Sequence, residues 1–480
     1  MTRLVTLLTL AALLSACAVG PDYQPPEPIQ LTRFDNDSAQ GGDMQTLARN
    51  EARFWAGFDD PVLARLIEQT LSGNQSLQAA LARYQEAEAL LRGSRREQLP
   101  SVTAGASAAG QRLAEVERTQ PDRERIERYQ AGVALRWELD LFGRLRRATE
   151  ASEAELAAAG ADRQSLQVAL AGQLASSYFE LRGLQQQLRV AEENVTLQQA
   201  SLDIVSARLD AGRGTLFDQV RSRAQLDSTR AAIPVLRADI GAAMHRIAVL
   251  TGQTPTALVE LLEQPRNLPE TQPRIAAGTP GDVLRRRPDI RAAERRLAAA
   301  NARIGVATAD LFPRFTLDGL IGSLAGGGSD LFTAGAQTGR VALGIDWSFL
   351  DRALVQSRID AADARHTELL ANYRQTVLSA LEETETWLLR YDHSQQRTAL
   401  LRRATDAATQ AVNQARERYD QGFIGYFELL SAEQELTAVR DDLVQSQTAT
   451  ALAMVNVYKA LAGAPEGFMQ NSSLGLAAAD

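Results

Sequence analysis

Apolar side chains alternate with polar or small ones over thirteen residues that read Tyr129-Gln-Ala-Gly-Val-Ala-Leu-Arg-Trp-Glu-Leu-Asp-Leu141. A period of two sends alternate side chains to opposite faces of a β-strand, so every charge in this stretch falls on one face. Such a strand suits either a half-buried sheet in water or a membrane barrel, whose tilted strands need ~9–11 residues to cross the bilayer.

Three further stretches are predicted to be strands. Residues 341–349 alternate in the same way, residues 315–321 form a shorter run, and residues 101–112 form a weaker run of small side chains. Residues 113–128 and the Gly-rich residues 322–339 join these strands into two hairpins. Four strands cannot close a barrel, and lipid does not tolerate open sheet edges, so several chains must combine. Two chains would give an eight-stranded barrel that its own side chains fill, whereas three would give a twelve-stranded barrel with a lumen. A protein that conducts a substrate needs a lumen, so conduction would favour three chains.

The chain contains an internal repeat whose two copies are offset by 210 residues. Its landmarks are paired tryptophans, paired turn motifs and paired Phe–acid dipeptides: Trp137 and Trp347, Arg208-Leu-Asp-Ala-Gly212 and Arg418-Tyr-Asp-Gln-Gly422, and Phe217-Asp218 and Phe427-Glu428. Agreement of several landmarks in one register indicates duplication rather than chance. The predicted segments are an N-terminal stretch (1–16), a linking stretch (17–60), the first repeat (61–252), a connector (253–288), the second repeat (289–463) and a tail (464–480).

Each repeat is predicted to hold a helix, a β-hairpin, a very long helix and a return helix. Residues 143–211 and 351–421 lack proline and carry apolar side chains at helical spacing. At 1.5 Å per residue, each would reach ~100 Å. The return helices are predicted over 216–251 and 426–462, with a kink at Pro234, and the shorter helices over 74–98 and 289–311. Strands long enough to cross a bilayer, together with helices of this length, predict a tube. Its strands would cross one membrane, and its helices would cross a wide aqueous space.

The N-terminus predicts a lipid anchor. A basic start and an apolar core are followed by Leu14-Ser-Ala-Cys17, and Cys17 is the single cysteine of the chain. The apolar segment is shorter than the ~20 residues of a membrane-spanning helix, which indicates a cleaved signal peptide. The motif resembles the lipobox of bacterial lipoproteins, which implies that residues 1–16 are a lipoprotein signal peptide, that Cys17 is acylated and that residues 17–60 form a lipidated tether. The prolines at its start (Pro21, Pro25, Pro26 and Pro28) predict little tendency to fold. An Asp directly after the lipidated cysteine would resemble an inner-membrane retention signal. This chain has Ala18 at that position, which implies sorting to the outer membrane.

The composition argues against several other functions. A net charge of -8 without a basic run argues against a nucleic-acid partner. One cysteine and three separated histidines give no metal cluster, and no cofactor motif or nucleophile–base pair indicates an enzyme. A purely structural lipoprotein spacer would not need strands with Asp and Arg on one face.

A long motif carries a family resemblance. The segments Leu284-Arg-Arg-Arg-Pro-Asp-Ile-Arg291, Asn301-Ala-Arg-Ile-Gly305 and Trp137-Glu-Leu-Asp-Leu-Phe-Gly143 resemble the TolC-like outer-membrane efflux lipoproteins of the NodT type. The resemblance implies a mainly α protein with membrane β-structure: a homotrimer with a twelve-stranded β-barrel, four strands per chain, and a long periplasmic α-helical barrel. It also implies a passive exit duct for small molecules, with a periplasmic adaptor and an inner-membrane pump of the resistance-nodulation-division class as partners. A duct for type I protein secretion is the alternative.

The resemblance also assigns residues at the two turns between long and return helices. The adaptor-contacting tips would be Gly212, Arg213, Gly214 and Thr215 in the first repeat, and Gly422, Phe423, Ile424 and Gly425 in the second. Glu428 would line a periplasmic constriction, where three copies near a threefold axis would repel one another and attract cations. Tyr419 and Asp218 match a latch between the hairpins, whereas a second family acid falls on Ser431 and a basic latch residue falls on Ile424.

Overall fold

The computed structural model describes residues 18–27, 33–35, 55, 58–118, 124–269 and 279–461. The predictions for the signal peptide, for the lipidated Cys17 and for the tail lie outside these residues. The chain divides into two compact units. The first comprises residues up to Glu27, Ala82–Gly160 and Arg291–Gln375, and the second comprises Pro28–Leu81, Ala161–Ile290 and the residues from Thr376 onward.

The predicted helices are present in the described residues, with bounds within two residues of the prediction for the six long and intermediate ones. The α-helices are α1 (Pro61–Gly73), α2 (Gln75–Glu97), α3 (Arg144–Asp210), α4 (Leu216–Leu250), α5 (Val259–Glu263), α6 (Pro280–Arg286), α7 (Pro288–Ala309), α8 (Arg352–Asp420) and α9 (Tyr426–Ala460). Pro234 lies inside α4, which continues past it to Leu250, and α7 starts at Pro288, where a missing N–H costs nothing. Within the described residues, no helix has an apolar stretch of the length that a membrane span requires.

Four antiparallel strands form one sheet in the first unit. Its order follows the sequence: β1 (Ser101–Arg112), β2 (Arg125–Leu139), β3 (Arg314–Ala325) and β4 (Gln337–Asp346). The register pairs Ser101 with Arg136, Trp137 with Leu317 and Arg314 with Asp346. The two repeats therefore meet where β2 pairs with β3.

The strand bounds correct the sequence prediction in two places. The Gly-rich residues after 321 were predicted as a loop, but β3 continues through Gly322 because Gly322 pairs with Gly132 of β2. A Cβ on Gly132 would lie 2.8 Å from the Ile321 carbonyl oxygen, so this close crossing of two backbones requires glycine. The other two long strands are displaced toward the N-terminus: β2 begins at Arg125 and β4 at Gln337, inside the predicted loops, and they end at Leu139 and Asp346, so that Trp347 lies just beyond β4.

The two repeated tryptophans have the same role at the helix–strand junctions. The indole N–H of Trp137 donates to the Gln98 carbonyl at 3.0 Å, and that of Trp347 donates to the Leu311 carbonyl at 3.0 Å. Each indole thus satisfies a carbonyl just beyond the end of the helix that precedes the hairpin. This matched pair of bonds supports the duplication inferred from the sequence.

The tether also differs from the prediction. Residues 21–28 were expected to have little tendency to fold because of their prolines, and residues 18–27 indeed contain no helix or strand. They are nevertheless docked on the first unit, where the Val19 N–H donates to the Phe142 carbonyl at 3.0 Å. The prolines prevent regular structure without preventing specific packing.

The second unit is built around an apolar core that includes Trp55, Leu66, Phe179, Ile247 and Met454. The fully buried Arg182 lies at its edge and donates to the Gln264 carbonyl at 2.8 Å and the Leu262 carbonyl at 3.2 Å. A buried guanidinium is tolerated when carbonyl oxygens accept its protons. Arg182 thereby ties the end of α5, in the connector, to the long helix α3.

Candidate functional site

The two helical hairpins end in turns with the same backbone geometry. We call residues 208–223 the first tip and residues 418–433 the second tip. Gly212 and Gly422 adopt positive φ values of 67° and 81°. The Arg213 N–H donates to the Arg208 carbonyl at 2.8 Å, and the Phe423 N–H donates to the Arg418 carbonyl at 2.9 Å. This is the Schellman termination, which needs a left-handed residue that glycine adopts at no cost.

The second tip is closed by a small apolar cluster. Tyr419, Tyr426, Leu429 and Leu430 are buried together with Val205 of α3. The two tyrosine rings meet edge to face, with centroids 6.0 Å apart. Burial raises the pKa of both tyrosines above its ordinary value. The second tip is therefore packed onto a helix of the first hairpin.

Arg208 joins the two hairpins, a role that the sequence did not reveal. Its guanidinium lies 3.9 Å from the centre of the Tyr419 ring and donates to the Tyr419 carbonyl at 2.6 Å and the Asp420 carbonyl at 3.3 Å. These carbonyls belong to the C-terminal end of α8, where a cation is favoured by the helix dipole. The repeated turn motif contained Arg208, but nothing local showed that its partner would be the other hairpin.

The predicted latch residues both lie at the tips. The Asp218 carboxylate accepts from the Thr215 hydroxyl at 2.7 Å, and the Thr215 hydroxyl in turn accepts from the Asp218 N–H at 3.2 Å. In the described part of the chain, no hydrogen bond joins Asp218 to Tyr419. Asp218 is still close enough for its negative charge to add to the rise in the Tyr419 pKa, which burial causes in the main.

Glu428 occupies the position equivalent to Asp218 but has a different setting. The N-cap of α9 is Gly425, which has no side chain to cap the helix or to bond Glu428. The Glu428 side chain is exposed, and among the described residues it has no ion pair or hydrogen-bond partner. It is therefore available to face a symmetry axis or a passing ion.

A buried carboxylate close to the second tip was missed by the sequence analysis. Glu433 accepts from the Ser201 hydroxyl at 2.7 Å and from the Arg416 guanidinium at 2.9 Å, both through Oε1. Its Oε2 is buried without a partner. The prediction looked for a second acid at 431, three residues after Glu428. Glu433 lies five residues after Glu428, on the buried face of α9. Nothing in the local sequence indicates that a carboxylate at this position is buried.

The tips also expose apolar side chains. Phe423 is 75% exposed and Leu216 is 64% exposed, and Phe217, Val220 and Phe427 are exposed as well. Exposed aromatic side chains grouped at one place mark an interaction surface. Within the described residues, no three His, Cys, Asp or Glu side chains gather as metal ligands would.

Comparison with known proteins places this architecture in a family. A sequence profile of the family described as "Outer membrane efflux protein" matches residues 66–253 and 279–463, which cover both repeats. The chain belongs to the outer membrane efflux protein family. It is 31% identical to Nodulation protein T of Rhizobium leguminosarum bv. trifolii over 93% of this chain and 94% of that protein. It is 30% identical to the toluene efflux pump outer membrane protein TtgI of Pseudomonas putida, over 94% and 96% of the two chains.

A solved structure agrees with this assignment. The outer-membrane channel OprN superposes with a TM-score of 0.88 at 41% sequence identity, over 93% of this chain and 99% of that chain. The predicted fold class is confirmed: each efflux protein chain supplies four strands to a trimeric twelve-stranded barrel, and its long helices form a periplasmic helical barrel. The prediction of an outer-membrane efflux channel is confirmed with it.

Proposed function

We propose that this efflux protein is the passive exit duct for small organic molecules that an inner-membrane pump delivers through a periplasmic adaptor. The match to the family over both repeats carries the proposal. The names of two relatives support small molecules as cargo, since TtgI is named for toluene efflux and OpmQ of Pseudomonas putida for pyoverdine export. An adaptor and a pump of the resistance-nodulation-division class are the partners that we propose.

The adaptor would bind the exposed tip residues Arg213, Thr215 and Phe423 and the half-buried Ile424, with Gly212, Gly214, Gly422 and Gly425 shaping the turns. The exposure of Phe423 supports this role, because a partner would remove its ring from water. Phe332 offers a matched control, since it is 88% exposed on the connection between β3 and β4.

The adaptor proposal can be tested by complementation. In a strain that lacks this gene, the wild-type protein and the Phe332→Asp variant should restore efflux of a hydrophobic dye. Phe423→Asp should fail to restore it although the trimer reaches the outer membrane in equal amount. Equal efflux by the two variants would show that the tips are not part of the docking surface. Restored protein secretion without dye efflux would favour a type I secretion duct instead.

Glu428 is proposed to form the constriction, as a ring of three carboxylates around the threefold axis. Its exposed and unpaired carboxylate supports this assignment, whereas Asp218 is held by Thr215. In planar bilayers under a salt gradient, Glu428→Gln should lower the preference for cations, and Asp218→Asn should change it less. The proposal fails if the two variants shift the reversal potential equally.

The closed state is proposed to depend on Tyr419 and Asp218 together with helix packing, and to open by helix untwisting when the adaptor engages. The burial of Tyr419 against Val205 of the first hairpin supports its part in this restraint. Tyr419→Phe combined with Asp218→Ala should raise the open probability of single channels. Tyr426→Phe, which removes a hydroxyl from the same cluster, is the control. No rise in the combined variant would reject the latch.

Lipid attachment at Cys17 is the remaining part of the proposal. The lipobox-like motif Leu14-Ser-Ala-Cys17, which contains the single cysteine of the chain, supports it. Intact mass spectrometry of the mature protein should find an acylated N-terminal cysteine. An unmodified N-terminus at another residue would reject it.

A further inference from the structure

The side chains of Arg147 and Asn301 bind the backbone of the residues that follow Cys17. The Arg147 guanidinium donates to the Val19 carbonyl at 3.2 Å and to the Gly20 carbonyl at 3.4 Å. The Asn301 amide donates to the Pro21 carbonyl at 2.9 Å. With the bond from the Val19 N–H to the Phe142 carbonyl at 3.0 Å, three consecutive residues are fixed by their main chain. The same guanidinium also donates to the Asp22 carboxylate at 2.7 Å, so the segment is held by its backbone and by a side chain of its own.

Glycines make room for this segment on both sides. Gly143 has a positive φ of 80°, and a Cβ on it would lie 2.6 Å from the Ala18 Cβ. A Cβ on Gly305 would lie 2.8 Å from Arg147 Cγ and 3.0 Å from the Val19 carbonyl oxygen. Gly20 has a φ of 94°, and a Cβ on it would overlap Gly305. No side chain larger than hydrogen fits at these approaches.

Three of the residues that contact the segment, Gly143, Asn301 and Gly305, lie in two of the motif segments that carry the family resemblance. Gly143 ends the segment that starts at Trp137, and Asn301 and Gly305 begin and end the second motif. Tyr23 extends the contact by donating to Glu294 Oε1 at 2.6 Å and packing beside Ala154, Ala298 and Ala299. The segment therefore bridges α3 of the first repeat and α7 of the second.

We propose that residues 18–23 are a strap, that Gly143, Arg147, Asn301 and Gly305 form its receptor, and that the docked strap holds the lipid anchor against the helix–strand junction without slack. The proposal rests on lipid attachment at Cys17. One extended residue spans only ~3.3–3.6 Å, so an anchor on Cys17 stays within about that distance of the docked Ala18. The acyl chains would hold this junction directly at the membrane surface, instead of through a loose tether.

Hydrogen exchange of the purified trimer tests whether docking is a property of the fold. The Val19 amide should exchange slowly in the wild-type protein and at least about tenfold faster in Gly20→Ala, in which the new Cβ cannot fit beside Gly305. Gly93→Ala is the matched control, because a Cβ on Gly93 meets nothing within 4 Å. Fast exchange of Val19 in the wild type, or equal exchange in the two variants, would overturn the proposal.

A second variant separates docking from lipidation. The protein with Cys17→Ala behind an ordinary secretory leader should keep slow exchange at Val19, because the receptor binds the backbone and not the lipid. If protection of Val19 disappears with the lipid, the anchor positions the strap and the proposal is wrong. Intact mass reports acylation separately, so an absent lipid with a protected Val19 would reject lipid attachment at Cys17 while leaving strap docking intact.

Discussion

The two tips share a backbone and differ in what covers it. Both turns place glycine at the left-handed position and close with the same pair of backbone bonds. In the second tip Tyr426 and Leu430 are buried, whereas their equivalents at an offset of 210, Leu216 and Val220, are 64% and 59% exposed. Local sequence thus determines the turn, and the contacts of the flanking side chains determine how firmly each tip is held.

The difference also shows that the two tips are held with unequal firmness. The second tip is tied to the first hairpin by Val205, Arg208 and the Ser201–Glu433 bond. Any movement of the second tip away from α3 must break these contacts, so they resist separation of the two hairpins. The first tip presents apolar side chains that nothing in the described chain covers, which suits a surface for a partner.

The largest expected effect comes from emptying the apolar cluster. Leu430→Ala removes a side chain that is 1% exposed, and such truncations cost about 2–5 kcal/mol in buried sites. The free energy of local opening at residues 426–433, measured by native-state hydrogen exchange, should fall by that amount.

The equivalent change in the first tip is the control for this prediction. Val220→Ala removes an exposed side chain, and such substitutions change stability by no more than about 0.5 kcal/mol. Similar losses at the two positions would mean that the tips are held equally, and the contrast drawn from burial would be wrong.

The buried carboxylate should give the next largest effect. Glu433→Gln weakens the bond to Arg416 and disturbs the one from Ser201, and hydrogen bonds to charged groups contribute about 1.5–3 kcal/mol. The same exchange experiment should show this loss at the second tip. Arg223, which is the exposed equivalent of Glu433, is the control as Arg223→Gln. A double-mutant cycle between Glu433→Gln and Arg416→Gln that gives no coupling would contradict the proposed restraint.

The sequence predicted the elements of this fold well because their signals are local. Alternation marked β2 over residues of which 129–136 pair with β1 and 129–139 with β3, and glycine with a following helix marked both turns. The continuation of β3 through Gly322 was missed because its cause is the pairing with Gly132, which is distant in sequence.

The candidate site was less predictable for the same reason. Arg208 and Glu433 act on residues 211 and 232 positions away in the chain. A charged residue on a helix is normally solvated, so the sequence gave no reason to bury Glu433 or to place Arg208 on Tyr419. The positions of Tyr419, Asp218 and Glu428 were predicted through resemblance, and their roles stay predictions.

A smaller effect is expected from the helix caps. Thr215 caps α4 by accepting from the Asp218 N–H, whereas α9 starts at Gly425 without a side-chain cap. Thr215→Ala should destabilise the start of α4 by about 1 kcal/mol, while Gly425→Thr should stabilise the start of α9 by a few tenths of a kcal/mol. Exchange rates of the first-turn amides in each helix measure both changes. Loss of stability in Gly425→Thr would show that Glu428, whose Oε2 would lie 3.1 Å from a Cβ at 425, cannot move aside.

The smallest expected effect is a loss of stability at alkaline pH. It should occur in the second tip, which contains two buried tyrosines, and not in the first. Tyr419 and Tyr426 have leucine equivalents in the first tip, Leu209 and Leu216. Burial raises the pKa of both tyrosines above the ordinary value near 10.0. A raised pKa in the folded state means that their contribution to stability is complete below pH 10 and is lost as the pH rises further, because the unfolded chain ionises first. The second tip should therefore loosen above about pH 10, while the first tip has no such dependence.

An absorbance titration of tyrosinate checks this last expectation. The difference between the wild type and the Tyr419→Leu/Tyr426→Leu variant isolates the two phenols from the other tyrosines. That difference should titrate above the value of free tyrosine, and the control Tyr129→Phe, which removes a phenol from β2, should leave the isolated component unchanged. A component that titrates at or below the ordinary value would place these phenols in water, and the second tip would then be as open as the first.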